Sequence, residues 1–85
     1  MRDLFVTPQF TRDWRRMPSW LLVELEPVIQ RLRDNPTERS LGVKKLHNVA
    51  PATWRVRCGR YRLLYVYDAT SVTLLRVAHR KDIYR

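Results

Sequence analysis

Four arginines and a tyrosine in the C-terminal half of the chain, Arg55, Arg57, Arg62, Arg80 and Tyr84, have the residue types and spacing to do chemistry. A guanidinium stays charged at any physiological pH and presents a planar fork of donors that matches phosphate oxygens two at a time. A tyrosine beside such groups can stack on a base, move a proton or cap the core. The spacing predicts how the arginines meet. Gly59-Arg60 reads as a two-residue hairpin turn of type II′, with glycine first. With Cys58 paired to Tyr61, Arg57 falls opposite Arg62, Val56 opposite Leu63 and Arg55 opposite Leu64. Strand alternation then sends Trp54, Val56, Leu63 and Tyr65 to one face, and Arg55, Arg57, Arg62 and Leu64 to the other. Like charges opposed across a sheet cost some tenths of a kcal/mol, about 0.2–1. A phosphate between them reverses the sign, so this face reads as a phosphate site.

Charge distribution supports a polyanionic partner. The 85 residues carry a net charge of +9. Residues 1–38 hold six arginines against six carboxylates, whereas residues 39–85 hold eleven Lys/Arg against only Asp68 and Asp82. Phosphate neutralisation with counterion release accounts for such a separation, as does cover by an acidic protein partner. Other classes fall away. Cys58 is the only cysteine, which precludes an internal disulfide, and with His47 and His79 alone beside it a structural zinc site is not expected. The apolar runs are too short for a membrane span, and the N-terminus lacks a signal-peptide core, so a cytoplasmic protein is expected.

The elements that must position these residues fit one small domain over residues 1–85. Asp3 to Val6 reads as a first strand. Thr7-Pro8 predicts a helix start, and Phe10, Trp14 and Met17 form its apolar stripe. Pro18-Ser19 breaks that helix, with Ser19 as the next cap. Leu21, Leu22, Leu25, Val28, Ile29 and Leu32 predict a second amphipathic helix, kinked at Pro27, or broken after Glu26, and ending near Pro36. Residues 35–52 read as a linking loop in which Leu46 is an anchor and Lys44 and Lys45 are exposed. Strands over Thr53–Cys58, Tyr61–Tyr67 and Val72–Val77 follow. The expected class is α+β: a strand, an antiparallel helix pair, then a three-strand antiparallel meander with the helices on one face.

The meander and tail resemble the RelE/ParE superfamily of small bacterial toxins, in particular its RelE-like endoribonuclease branch. The resemblance is carried by W-R-V-R-C-G-R-Y-R-L-L-Y and V-A-H-R-K-D-I-Y, joined to the upstream Lys45-Leu46, and the order of elements extends it over the whole chain. It implies a RelE-like fold and the toxin of a two-component toxin–antitoxin pair. It further implies metal-independent cleavage of messenger RNA in the ribosomal A site, with the 2′-hydroxyl attacking the adjacent phosphate and no cofactor. By similarity Arg55, Arg57, Arg62, Arg80 and Tyr84 are the catalytic set, with the arginines clamping substrate and stabilising charge. Tyr84 stacks on a base or assists proton transfer. Lys44, Lys45, Arg60, His79 and Lys81 are the expected further RNA contacts. Relatives carry lysine at one or both of the Arg55 and Arg57 positions, so here Tyr84 or His79 is left to act as base. The implied partners are an acidic antitoxin, mRNA and the ribosome. Two other readings share the fold: a ParE-like gyrase inhibitor, and a non-catalytic RNA- or ribosome-binding module.

Overall fold

The computed structural model describes residues 1–84; Arg85, the end of the expected basic tail, lies outside them. The chain runs through β1 (Asp3–Val6), α1 (Pro8–Arg16), α2 (Ser19–Asp34), a 3-10 turn (Arg39–Leu41), β2 (Lys44–Lys45), β3 (Trp54–Cys58), β4 (Tyr61–Tyr67) and β5 (Ser71–His79). Strands β3, β4 and β5 form the expected antiparallel meander in a five-stranded sheet of order β1-β5-β4-β3-β2. β1 lies parallel to β5, with Leu4 beside Val72 and Val6 beside Leu74. Parallel neighbours need a crossover, and the helix pair is part of it.

Local chemistry sets the helix ends. Thr7 Oγ1 accepts the Phe10 N–H at 3.0 Å, and Pro8 sits in the first turn, where its missing N–H leaves nothing unpaired. The same hydroxyl donates to the Leu75 carbonyl at 2.8 Å, tying α1 to β5. The expected cap at Ser19 is not used. Pro18 takes the cap position with φ −64°, its carbonyl receives the Leu21 and Leu22 N–H groups, and Ser19 is already helical. Helix α2 continues through Pro27 to Asp34. Its buried face is Leu21, Leu25, Ile29 and Leu32, while Pro27 is exposed. The carbonyl deprived of its donor belongs to Val23, which is also exposed, so water can complete the bond.

These helix residues and Phe10 pack on Val56, Leu63, Tyr65, Val72, Leu74 and Val77 to form the main core. Leu74 and Val77 both belong to it although they stand three residues apart. The register shifts by one between Leu64 and Tyr65, with Leu64 paired to Arg76 and Tyr65 to Leu74, so Leu75 occupies a bulge. Beyond the bulge the alternation is reset, and Ala78 joins Leu75 and Leu64 on the far side of the sheet.

That far side is less open than the sequence reading expects. Leu64, Ala78 and Ile83 form a second buried cluster, with Leu46 and Leu75 packed against it. Residues 35–52, expected as loop, contribute the edge strand β2 as well as the Leu46 anchor. After β5 the chain turns back and Ile83 closes the cluster.

Candidate phosphate-binding site

The hairpin places the arginines as its turn chemistry dictates. Gly59 has φ +60°, as the first residue of a type II′ turn requires, and Cys58, Arg57, Val56 and Arg55 pair with Tyr61, Arg62, Leu63 and Leu64. Lys44 pairs with Arg55 and therefore shares its face. Lys45 pairs with Trp54, which packs on the main core, so the same register turns Lys45 to the helix side.

Arg62 lies at the centre of the arginine face. Its Nη1 donates to the Gly59 carbonyl at 3.3 Å and to the Tyr61 carbonyl at 3.1 Å, anchoring one arm of the fork to the hairpin. Its pKa is held below the ordinary arginine value, first by burial, then by the charges of Arg55 and Arg57; Tyr84 acts in the opposite sense and Arg80 adds to the lowering. The other four residues singled out for chemistry thus lie within electrostatic reach of Arg62. Arg55 adds a second mark: its Nη1 is buried with no hydrogen-bond partner among the described residues. An unpaired buried donor on a cation is costly, and an anion seated there would relieve it.

The turn after β5 carries the other two members. The Arg80 N–H donates to the Arg60 carbonyl at 2.8 Å, and the Asp82 and Ile83 N–H groups donate to the His79 carbonyl at 2.8 and 3.0 Å. Ile83 is buried and its neighbour Tyr84 is 62% exposed, so the ring stands on an anchored support and faces solvent. Lys81 and Arg60 are exposed in their turns. His79 goes elsewhere. It pairs with Tyr61 and meets that ring edge-on at 5.4 Å on the helix side, while its Nδ1 accepts the Lys81 N–H at 3.2 Å. The structure therefore groups Arg55, Arg57, Arg62, Arg80 and Tyr84 with Lys44 and sends Lys45 and His79 to the opposite side.

Two supporting features escaped the sequence reading. Ile83 is one. The other is Asp13, buried on α1, whose carboxylate accepts from Arg76 Nε at 3.1 Å, Arg76 Nη2 at 3.3 Å, the Val77 N–H at 3.1 Å and Gln9 Nε2 at 2.8 Å. Burial alone would raise its pKa, but the bonds from Arg76, Gln9 and Val77 outweigh it and the net shift is downward. A signal was present: Asp13 stands three residues after Phe10 and four before Met17, on the apolar stripe itself. Cys58 offers no nucleophile. Burial, then the Glu24 carboxylate that accepts its S–H at 3.3 Å, push the thiol up to about 11. Among the described residues no group of three or more His, Cys, Asp and Glu could hold a metal ion, and no helix is long and apolar enough to cross a membrane.

Comparison with known proteins agrees with this architecture. Residues 4–84 match the family model of the ParE toxin of type II toxin–antitoxin systems. Toxin RelG of Mycobacterium tuberculosis is 50% identical over 77 residues, covering 87% of this chain and 85% of the relative. The RelBE2 toxin–antitoxin complex of the same organism contains a chain with a TM-score of 0.76 at 32% identity, covering 93% of this chain and 98% of that one. The RelB–RelE antitoxin–toxin complex from Methanococcus jannaschii gives a TM-score of 0.79 at 22% identity, with 94% of each chain covered. A family match over nearly the whole length, joined to a relative identical at half of 77 aligned residues, establishes that the chain belongs to the RelE/ParE superfamily of type II toxin–antitoxin toxins.

Proposed function

We propose that this toxin is a metal-independent endoribonuclease that cleaves messenger RNA on the ribosome, in the cytoplasm. The observation that carries the reading is the convergence of Arg55, Arg57, Arg80 and Tyr84 on Arg62, with an orphaned guanidinium nitrogen on Arg55. In the reaction the 2′-hydroxyl attacks the adjacent phosphorus, the bond to the 5′-oxygen breaks, and a cyclic phosphate and a 5′-hydroxyl result. The 2′-proton must leave and the 5′-oxygen must gain one. Arg57 and Arg62 flank the phosphate and stabilise charge that grows on its non-bridging oxygens. Tyr84 is the proton-transfer or base-stacking group, because His79 lies on the other side of the sheet. Among its partners is an acidic antitoxin laid over the same basic face; the solved RelB–RelE and RelBE2 relatives are toxin–antitoxin complexes.

Primer-extension mapping of cellular mRNA after induction tests the reading. Arg62→Ala, Arg80→Ala and Tyr84→Phe should each abolish or strongly reduce cleavage and relieve growth arrest; full cleavage by all three would remove the assignment. The family model matched is that of the ParE toxin, which favours gyrase inhibition as the second reading. A DNA-supercoiling assay separates them, since only a gyrase poison blocks supercoiling.

A further inference from the structure

A polar cleft of about 350 Å³ opens on the helix side of the sheet, between the C-terminal end of α1 and the outer end of β5. It is in the size range of small-ligand sites, about 300 Å³ and above. A smaller cleft beneath β1 measures about 170 Å³ and is lined largely by Leu4, Phe10, Trp14 and Ile29. The larger one is walled by Arg16, Tyr61, Arg76, His79 and Asp82. Arg76 is held in place by two bonds to Asp13, so this wall is preorganised. Arg16, exposed in the last turn of α1, makes no hydrogen bond or ion pair among the described residues. The aromatic wall continues outward, since Tyr61 meets His79 at 5.4 Å and Trp20 at 5.9 Å, and Trp20 is 48% exposed.

Position gives the cleft its meaning. His79 lines it, and the next residue, Arg80, belongs to the arginine face. One step of backbone separates the two, at the end of the sheet where a single strand seated on Arg62 and Tyr84 would leave the face. We propose that the cleft is a second nucleotide subsite for single-stranded RNA. It takes the base of a nucleotide flanking the one held by the arginine face, with Arg16 on that nucleotide's phosphate. The inference rests on the RNA-cleaving reading above. A lining that mixes cations, carboxylates and aromatic edges suits a base with its donors and acceptors. Aromatic walls beside a cationic track are how sequence-tolerant single-strand sites are built.

The test is equilibrium binding, by fluorescence anisotropy, of fully 2′-O-methylated RNAs of three and seven nucleotides, which lack the attacking hydroxyl. Arg16→Ala should weaken the seven-mer about five-fold or more and leave the three-mer unchanged, while Arg62→Ala weakens both. An abasic residue at one flanking position of the seven-mer should cost the wild type a similar factor, a measurement that needs no variant to fold. Equal effects of Arg16→Ala on both lengths, or on neither, overturn the subsite, as does an abasic scan in which no flanking base matters. Loss confined to Arg62→Ala removes the cleft and leaves the arginine face standing. Silence of Arg62→Ala removes both.

Discussion

Arg57 and Arg62 face each other across β3 and β4, and Arg62 is partly buried as well. With no anion present that pairing works against the fold by about 0.2–1 kcal/mol. Arg57 is exposed, so its replacement opens no cavity. Arg57→Thr, which keeps a good strand former, is therefore expected to raise urea stability by a few tenths of a kcal/mol, roughly, while cutting RNA cleavage at least ten-fold. A variant that loses stability along with activity would show that the pair is not strained. Asp13 makes the opposite case, a buried charge whose partners are complete. Asp13→Asn should cost about 1–3 kcal/mol at neutral pH, because the Arg76 guanidinium loses its counter-charge. The folded-state pKa of Asp13 is depressed, so its contribution is fully present above the unfolded value, about 3.9, and is lost as pH falls through the folded value. Urea curves should show a constant gap between wild type and Asp13→Asn from pH 7 to 5 that narrows below about 4. A gap that stays constant into the acid limb would contradict the ion pair.

The turn after β5 connects packing to the site. Ile83 buries its side chain with Leu64 and Ala78 while Tyr84 beside it is exposed, so the apolar anchor fixes where the phenol stands. Ile83→Ala should reduce cleavage toward the level of Tyr84→Ala with the circular dichroism spectrum unchanged, and Ile83→Leu should retain activity. Full activity in Ile83→Ala would mean that Tyr84 needs no such support. This element also marks where the sequence stopped being readable. The β3–β4 hairpin was legible because a two-residue turn with Gly59 first fixes register locally, and Thr7-Pro8 was legible for the same reason. The bulge at Leu75, the parallel pairing of β1 and the Asp13–Arg76 bond, 63 residues apart in the chain, depend on contacts between distant segments, which no local pattern encodes. The two lysines of β2 show the limit within one dipeptide. Their exposure could be read, but only pairing with β3 decides that Lys44 joins Arg55 and Lys45 does not.

Across the whole molecule the net charge of +9 becomes a field with a direction. Over residues 1–38 cations and carboxylates balance, whereas the far side of the sheet gathers Lys44, Arg55, Arg57, Arg62 and Arg80 around a single region. A surface of that kind attracts RNA and an acidic protein segment by the same physics, so the two should exclude each other on it. RNA binding offers the sharper measurement, because each phosphate neutralised on a single strand contributes about −0.7 to the slope of log K against log salt. Three or four phosphates held by the arginines give a slope of roughly −2 to −3. For a five-nucleotide RNA, which carries four internucleotide phosphates, Arg62→Ala should make it shallower by about 0.7, and Arg15→Ala, on the neutral half, should leave it unchanged. An equal change in both variants would mean that affinity comes from net charge spread over the surface. A change confined to Arg62→Ala would mean that it comes from phosphates seated between the two strands.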